Sequence, residues 1–149
     1  MFDKAGHLYG TTFFGGAFTS SCSLGCGTAF ELSPKNGQWD EKILYNFCSQ
    51  ANCTDGSEPA GGLAIDSSNN LYGTTEYGGT LTSYGTVFQL TKGSNGQWMQ
   101  KVLHTFAGGT DGANPLAGLT IDAKGSLYGA TQFGGTGGNN GTVLCPKSQ

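Results

Sequence analysis

The sequence predicts an all-β fold made of about three four-stranded β-propeller blades, on the strength of three observations. The phrase Leu-Tyr-Gly-Thr/Ala-Thr occurs three times, at Leu8–Thr12, Leu71–Thr75 and Leu127–Thr131. The copies start 63 and then 56 residues apart, a spacing typical of supersecondary units that stack on one another. The 27 glycines recur as turn signals between β-branched and aromatic runs, and no helical periodicity interrupts them.

Each repeat divides into short strand-like runs. The middle repeat has four of them: Gly62–Asp66, Leu71–Thr75, Gly85–Leu90 and Lys101–Phe106. The first repeat supplies matching runs at 1–3, 8–12, 27–32 and 42–47, and the third supplies 118–122, 127–131 and 141–144. Four antiparallel strands in a repeat of this length are the pattern of a propeller blade. We therefore expect one repeat domain, with blades at about 1–54, 55–110 and 111–149, the last without its outermost strand.

Composition narrows the possible functions. Only 11% of residues are charged and the net charge is −3, so a nucleic-acid partner is not expected. No apolar run reaches the length of a membrane span. The N-terminal Met-Phe-Asp-Lys-Ala-Gly lacks the apolar core of a signal peptide.

Four of the five cysteines occur as local pairs in loops that the other repeats have in shorter form. Cys22 and Cys26 lie in a five-residue insertion of the first repeat, and Cys48 and Cys53 lie in a second insertion. This pattern predicts the disulfides Cys22–Cys26 and Cys48–Cys53 and an extracellular or periplasmic location. Four independent buried thiols and a zinc site are the alternatives, and Cys145 is left over.

The phrase PLAGLTIDAKGSLYGATQFGG, with GTVFQL and TFAGGTDGANP, resembles the bacterial tandem repeat called GloVer, which occurs in secreted or surface-anchored proteins. The resemblance covers nearly the whole chain and implies export and a repeat architecture, but no established activity. The segment Pro115–Tyr128 is also similar to the blade entrance of gluconolactonase-like and NHL-type propellers. That second resemblance implies a fold more than a function.

Two similar loops carry oxygen ligands. We name residues 55–59 (Asp-Gly-Ser-Glu-Pro) and 111–115 (Asp-Gly-Ala-Asn-Pro) the lead-in loops, because each leads into the first strand of a blade. The predicted ligands for Ca²⁺ are Asp55, Glu58, Asp111 and Asn114, since calcium prefers six to eight oxygen atoms in flexible geometry. The alternative is a turn in which the aspartate binds nearby backbone N–H groups.

Three further aspartates, Asp3, Asp66 and Asp122, each end the first strand of a blade. A ring of carboxylates around a channel is one interpretation. The favoured one is that each carboxylate accepts backbone N–H bonds within the turn that follows.

Aromatic residues also repeat. Tyr9, Tyr72 and Tyr128 are expected to pack within or between blades. The residues before each Gly-Gly pair, Phe14, Tyr77 and Phe133, are expected to pack in the same way, and the alternative is that they rim a face on which sugars stack. No catalytic residue stands out, because the chain has no nucleophile elbow, phosphate loop or metal-ligating histidine pair.

Two functions remain open. The favoured one, from fold analogy and the acidic lead-in loops, is a Ca²⁺-assisted hydrolase of a small lactone or ester. The alternative is a non-catalytic extracellular module that binds a carbohydrate or a protein. Three blades would also leave apolar faces open at the ends of the arc, carrying Tyr9 or Tyr128. We therefore expect either a homodimer that closes a six-bladed ring or a chain that closes only with further repeats.

Overall fold

The computed structural model describes residues 1–79, 83–137 and 139–144, and these residues form an all-β protein. Its strands make three small antiparallel sheets, and no α-helix occurs in these three ranges. The first sheet contains β1 (Leu8–Thr12), β2 (Thr28–Lys35) and β3 (Gln38–Asn46). The second contains β4 (Ala64–Ile65), β5 (Leu71–Thr75), β6 (Thr86–Lys92) and β7 (Trp98–Thr105). The third contains β8 (Thr120–Ile121), β9 (Leu127–Ala130) and β10 (Val143–Leu144).

Each sheet is a meander in which consecutive strands are hydrogen-bonded neighbours. The hairpin between β2 and β3 shows how a short turn brings consecutive strands together. Asn36 and Gly37 both have positive φ, at 51° and 78°, and this pair of conformations matches the twist of two-residue hairpins. Short three-residue 3₁₀ turns, Ala51–Cys53 and Gly109–Asp111, precede the lead-in loops.

Most predicted strands are found, with differences at their ends. The outer strands β3 and β7 begin earlier than predicted, because pairing extends up to the hairpin turn, as in Lys92 opposite Trp98. The first run of the chain forms only an isolated bridge between Phe2 and Leu8, so it is not a strand. Cys145 lies outside the described residues.

The three sheets stack face to face, and the middle one is buried on both sides. One core cluster joins the first two sheets through Tyr9 and Phe47 on one side and Leu71 and Phe88 on the other. A second cluster joins the middle sheet to the third, among them Tyr72, Val87, Leu127 and Leu144. Stacked sheets are what the repeat pattern predicts, while closure into a propeller ring stays a prediction.

The lead-in loops lock each sheet to the one before it. Pro59 packs against Gly27, where an added Cβ would lie 2.5 Å from the proline Cδ. Pro115 meets Gly85 in the same way, at 2.8 Å. The junction therefore requires glycine, which also has a φ of about +90° at both positions.

The described part of the chain has no helix that is long and apolar enough to cross a membrane.

Candidate functional site

The candidate site lies at the sheet ends where the β1–β2 and β5–β6 loops meet the first lead-in loop. Antiparallel pairing of Ser57 with Tyr77 fixes this loop to the β5–β6 loop, with N···O distances of 3.0 and 3.2 Å. The Glu58 backbone N–H donates to Cys26 O at 2.8 Å and fixes it to the preceding repeat. Backbone bonds on both sides therefore hold the loop rigidly between two sheets.

Both predicted disulfides are present, Cys22–Cys26 and Cys48–Cys53. The alternative of four independent thiols is therefore wrong. The sulfurs of Cys26, Cys48 and Cys53 also lie within 4.8 Å of one another, so the two bridges pack together. The two insertions that break the repeat symmetry thus converge at one place.

An open cavity of about 540 Å³ lies beside this pair of bridges. Its lining combines one aromatic ring with hydroxyl, amide and carboxyl groups from three loops: Ser21, Cys22, Asn52, Cys53, Ser57, Glu58, Tyr77 and Ser83. Such a lining, an apolar ring with polar groups at its edge, suits a polar ligand that has one apolar face. We call this cavity the junction cleft.

Glu58, in the junction cleft, is unusual in both its backbone conformation and its carboxyl pKa. Its backbone is left-handed, with a φ of 55°, which is uncommon for a residue other than glycine or asparagine. Partial burial raises the pKa of its carboxyl group, and the negative charge of Glu76 raises it further. Both effects disfavour the ionised form of the Glu58 carboxyl group. A hydrogen bond with Glu76, together with burial and the nearby carboxylates, raises the pKa of Tyr77.

The equivalent position at the second junction has different chemistry. Ala113 stands in place of Ser57, Asn114 in place of Glu58 and Phe133 in place of Tyr77. The Asn114 amide donates to Glu76 O at 3.2 Å, so there the side chain links two repeats. The serine, glutamate and tyrosine of the junction cleft are therefore all replaced at the second junction.

The predicted calcium ligand Asp55 is buried and already fully engaged. Its carboxylate accepts from the Tyr45 hydroxyl at 2.7 Å, from Ser49 through N–H and Oγ at 2.9 and 2.8 Å, and from Gln50 N at 3.2 Å. These donors belong to the preceding strand and the Cys48–Cys53 loop. The carboxylate thus stabilises the end of that loop. This is the alternative given above, in which the aspartate binds nearby backbone N–H groups.

Asp111 has the same role in the next repeat. Its carboxylate accepts from Ala107 N at 2.8 Å and lies 3.1 Å from His104 Nε2. His104 occupies the position of Tyr45, so each lead-in aspartate pairs with the same site on the strand before it.

The acidic ligands do not assemble into a cluster. Across the described ranges, only one group of three or more His, Cys, Asp or Glu residues has its ligand atoms within 4.8 Å of one another. That group is Cys26, Cys48 and Cys53. Calcium binding at the lead-in loops therefore stays a prediction.

The strand-ending aspartates bind their own turns, as favoured from the sequence. Asp66 Oδ1 accepts from Ser68 N and Asn70 N, both at 2.8 Å. Asp3 and Asp122 make the equivalent pairs of bonds. Burial opposes ionisation of Asp66, but hydrogen bonds from Asn70 and Tyr72 outweigh it, so its pKa is lowered.

All three aromatic residues before the Gly-Gly pairs, Phe14, Tyr77 and Phe133, are exposed at the same end of their sheets. This outcome favours the rim interpretation over packing. Sequence reasoning did not single out Ser57, Glu76 or Ser83 for the site. A signal was available for Glu76, because repeat-equivalent positions carry Phe13 and Gln132.

The model of the Gloeobacter/Verrucomicrobia repeat matches residues 1–148. The chain therefore belongs to this family, which confirms the GloVer-type assignment. No curated protein and no solved structure matches the chain.

Proposed function

Starting from its membership of this repeat family, we propose that the protein is an extracellular module whose junction cleft binds a carbohydrate. The observation that carries the proposal is that both disulfide insertions converge on a cleft containing the exposed ring of Tyr77. The disulfides also support an oxidising, extracellular or periplasmic location.

The cleft supplies the two kinds of contact that a sugar needs. The Tyr77 ring offers a flat apolar surface for the C–H face of a pyranose. The hydroxyls of Ser57 and Ser83 and the carboxyl group of Glu58 surround it and can bind sugar hydroxyls. The packed disulfides keep the loops in place, which reduces the entropy lost on binding.

A glycan array probed with the purified protein tests the proposal. The glycans retained are then titrated against wild type, Tyr77→Ala and Phe133→Ala. Phe133 is the matched control, because it is the equivalent exposed aromatic at the other junction. We expect Tyr77→Ala to weaken binding about tenfold, the value of one stacking contact, and Phe133→Ala to leave it unchanged. No retained glycan, or equal losses in both variants, would overturn the assignment.

A Ca²⁺-assisted hydrolase of a small lactone or ester is the second proposal. It is favoured by Glu58, a partly buried carboxyl group that lines the junction cleft and has a raised pKa, as groups used in general acid–base catalysis often have. Asp55, Glu58, Asp111 and Asn114 would supply oxygen ligands, and bound calcium would polarise the substrate carbonyl. Asp55 would first have to release donors of its loop.

Rates with a panel of lactones and esters, measured with calcium and with EDTA, test this second proposal. We expect a calcium-dependent rate that Glu58→Gln removes, and a calcium-induced rise in melting temperature that Asp55→Ala with Asp111→Ala removes. Absence of both effects at millimolar calcium would reject it.

We also propose that two chains pair to close a six-bladed ring, since three stacked sheets leave an open face at each end. Such a homodimer would present the junction cleft twice.

A further inference from the structure

Each sheet has two faces that recur along the chain. The tyrosine face of a sheet carries Tyr9 and Ala29 in the first sheet, Tyr72 and Val87 in the second, and Tyr128 and Val143 in the third. The leucine face carries Leu8 and Phe30, then Leu71 and Phe88, then Leu127 and Leu144.

The chain makes the same junction twice. The tyrosine face of the first sheet packs on the leucine face of the second. The tyrosine face of the second packs on the leucine face of the third. One face of each kind is then left at the ends of the stack: the leucine face of the first sheet and the tyrosine face of the third.

The tyrosine face of the third sheet has lost the burial that its equivalents have. Tyr128 is 42% exposed, whereas Tyr9 is 6% and Tyr72 is 3%. Val143 is 77% exposed, whereas Ala29 and Val87 are both 0%. The same residue types that form a core at two junctions thus face solvent at the third position.

The leucine face of the first sheet shows the complementary change. Leu8 and Phe30 are only partly buried, although Leu71 and Phe88 are completely buried. Trp39 is also exposed on this sheet, and it is the repeat equivalent of Trp98.

We infer that these two faces bind each other between copies of the chain, with the tyrosine face of the third sheet on the leucine face of a second copy's first sheet. The inference rests on the proposed homodimer and names its interface. In a ring of two chains this head-to-tail contact occurs twice and closes all apolar faces. The inner strands of the two faces repeat a contact that the chain already makes internally, with the same residue types on each side.

One residue pair identifies the register of the contact. Within the chain, Tyr9 meets Trp98 edge-on, with ring centroids 6.3 Å apart. The equivalent pair between copies is Tyr128 with Trp39.

The third sheet also differs from the others in a way that suits this contact. Thr11 and Thr74 donate hydrogen bonds to backbone carbonyls just after the next lead-in loop, Gly61 O and Ala117 O. The equivalent residue of the third sheet is Ala130, which has no hydroxyl and so needs no acceptor across the contact.

The test measures mass by light scattering and sedimentation over a concentration series, in a Cys145→Ser background that excludes disulfide-linked pairs. We expect a dimer, and we expect Val143→Asp to raise its dissociation constant at least tenfold, because a charge would be buried in an apolar contact. Met99→Asp is the control, since Met99 is also apolar and exposed but lies on the outer strand of the middle sheet. Both positions are at the surface, so circular dichroism should show the native fold.

A charge-pair experiment tests the direction of the contact. Trp39→Glu and Tyr128→Lys should each dissociate the dimer, and a one-to-one mixture of the two variants should recover it, because lysine then faces glutamate. A wild-type monomer at micromolar concentration would overturn both the homodimer and this interface. A dimer that tolerates Trp39→Glu or Val143→Asp would leave the homodimer standing and overturn the head-to-tail contact.

Discussion

At the residue scale, three aspartates stabilise the turns that follow the first strand of each repeat. Asp3, Asp66 and Asp122 each accept two backbone N–H bonds from the turn that follows a first strand. Each also lies within hydrogen-bond distance of the repeated tyrosine hydroxyl, at 3.0 Å in the case of Tyr72. A carboxylate that replaces water with several donors in this way keeps its charge more readily in the folded state.

Asp66→Asn tests this role through pH. The pKa of Asp66 is lowered in the folded protein, so its stabilising effect is complete above the ordinary carboxyl pKa, and is lost as the pH falls through the lower folded value. The variant should be about 1 kcal/mol less stable than wild type at pH 7, and the difference should be smaller at pH 2, because Asp66 becomes protonated as the pH falls. Urea titrations at the two pH values measure the difference. A loss of stability that is the same at both would contradict the assignment.

At the element scale, the lead-in loops connect neighbouring sheets, and Gly85 lies at one such junction. Its φ is +93°, and an added Cβ would lie 2.8 Å from Pro115 Cδ. Gly85→Ala therefore combines an unfavourable backbone conformation with a clash, and should lower the free energy of unfolding by about 2–3 kcal/mol. Gly62→Ala is the control.

Gly62 has open space around the position of a Cβ, so its replacement should change the free energy of unfolding by less than about 0.5 kcal/mol. Equal effects in the two variants would show that the close packing around Gly85, by Thr75 O and Glu76 O as well as Pro115, does not require glycine. Thermal and urea unfolding of both proteins make the comparison.

The two inserted loops are elements of their own, each closed by a disulfide. The non-reduced protein should be four hydrogens lighter than the reduced one by mass spectrometry. Reduction should lower stability by about 2 kcal/mol per bridge, the estimate for short loops. Because both loops border the junction cleft, reduction should also weaken ligand binding. Four free thiols after purification without reductant would contradict the pairing.

At the scale of the whole molecule, the middle sheet joins the two core clusters, so its residues should dominate stability. Val87 and Val143 occupy equivalent positions, but one is fully buried and the other is exposed. Val87→Ala should lower the free energy of unfolding by about 2 kcal/mol through a cavity. Val143→Ala should have little effect at low concentration, where the chains are separate.

Urea unfolding of the two valine variants below micromolar concentration checks this difference. Similar losses would mean that the third sheet's outer face is covered within a single chain. A loss for Val143→Ala that grows with protein concentration is instead the result expected if a second copy covers that face.

Much of the local structure was predictable because it depends on neighbours in sequence. Leu71–Thr75 was predicted as a strand with its observed bounds, since turn signals border it on both sides. The disulfides Cys22–Cys26 and Cys48–Cys53 were predictable because each insertion carries its own pair. The turn role of Asp66 was predictable because its donors are two and four residues away.

What the sequence by itself determined is therefore the repeat, its strands, its turns and its local bridges, all of which rest on short-range chemistry. Only the tertiary structure decided that, of the repeated tyrosines Tyr9, Tyr72 and Tyr128, the last is the exposed one. The direction in which the sheets stack depends on contacts between residues more than fifty positions apart. The tertiary structure also decided which residues meet in the junction cleft. Glu58 and Tyr77 become neighbours only when the first lead-in loop is held between two sheets. Their separation in the sequence does not indicate that they are close in space.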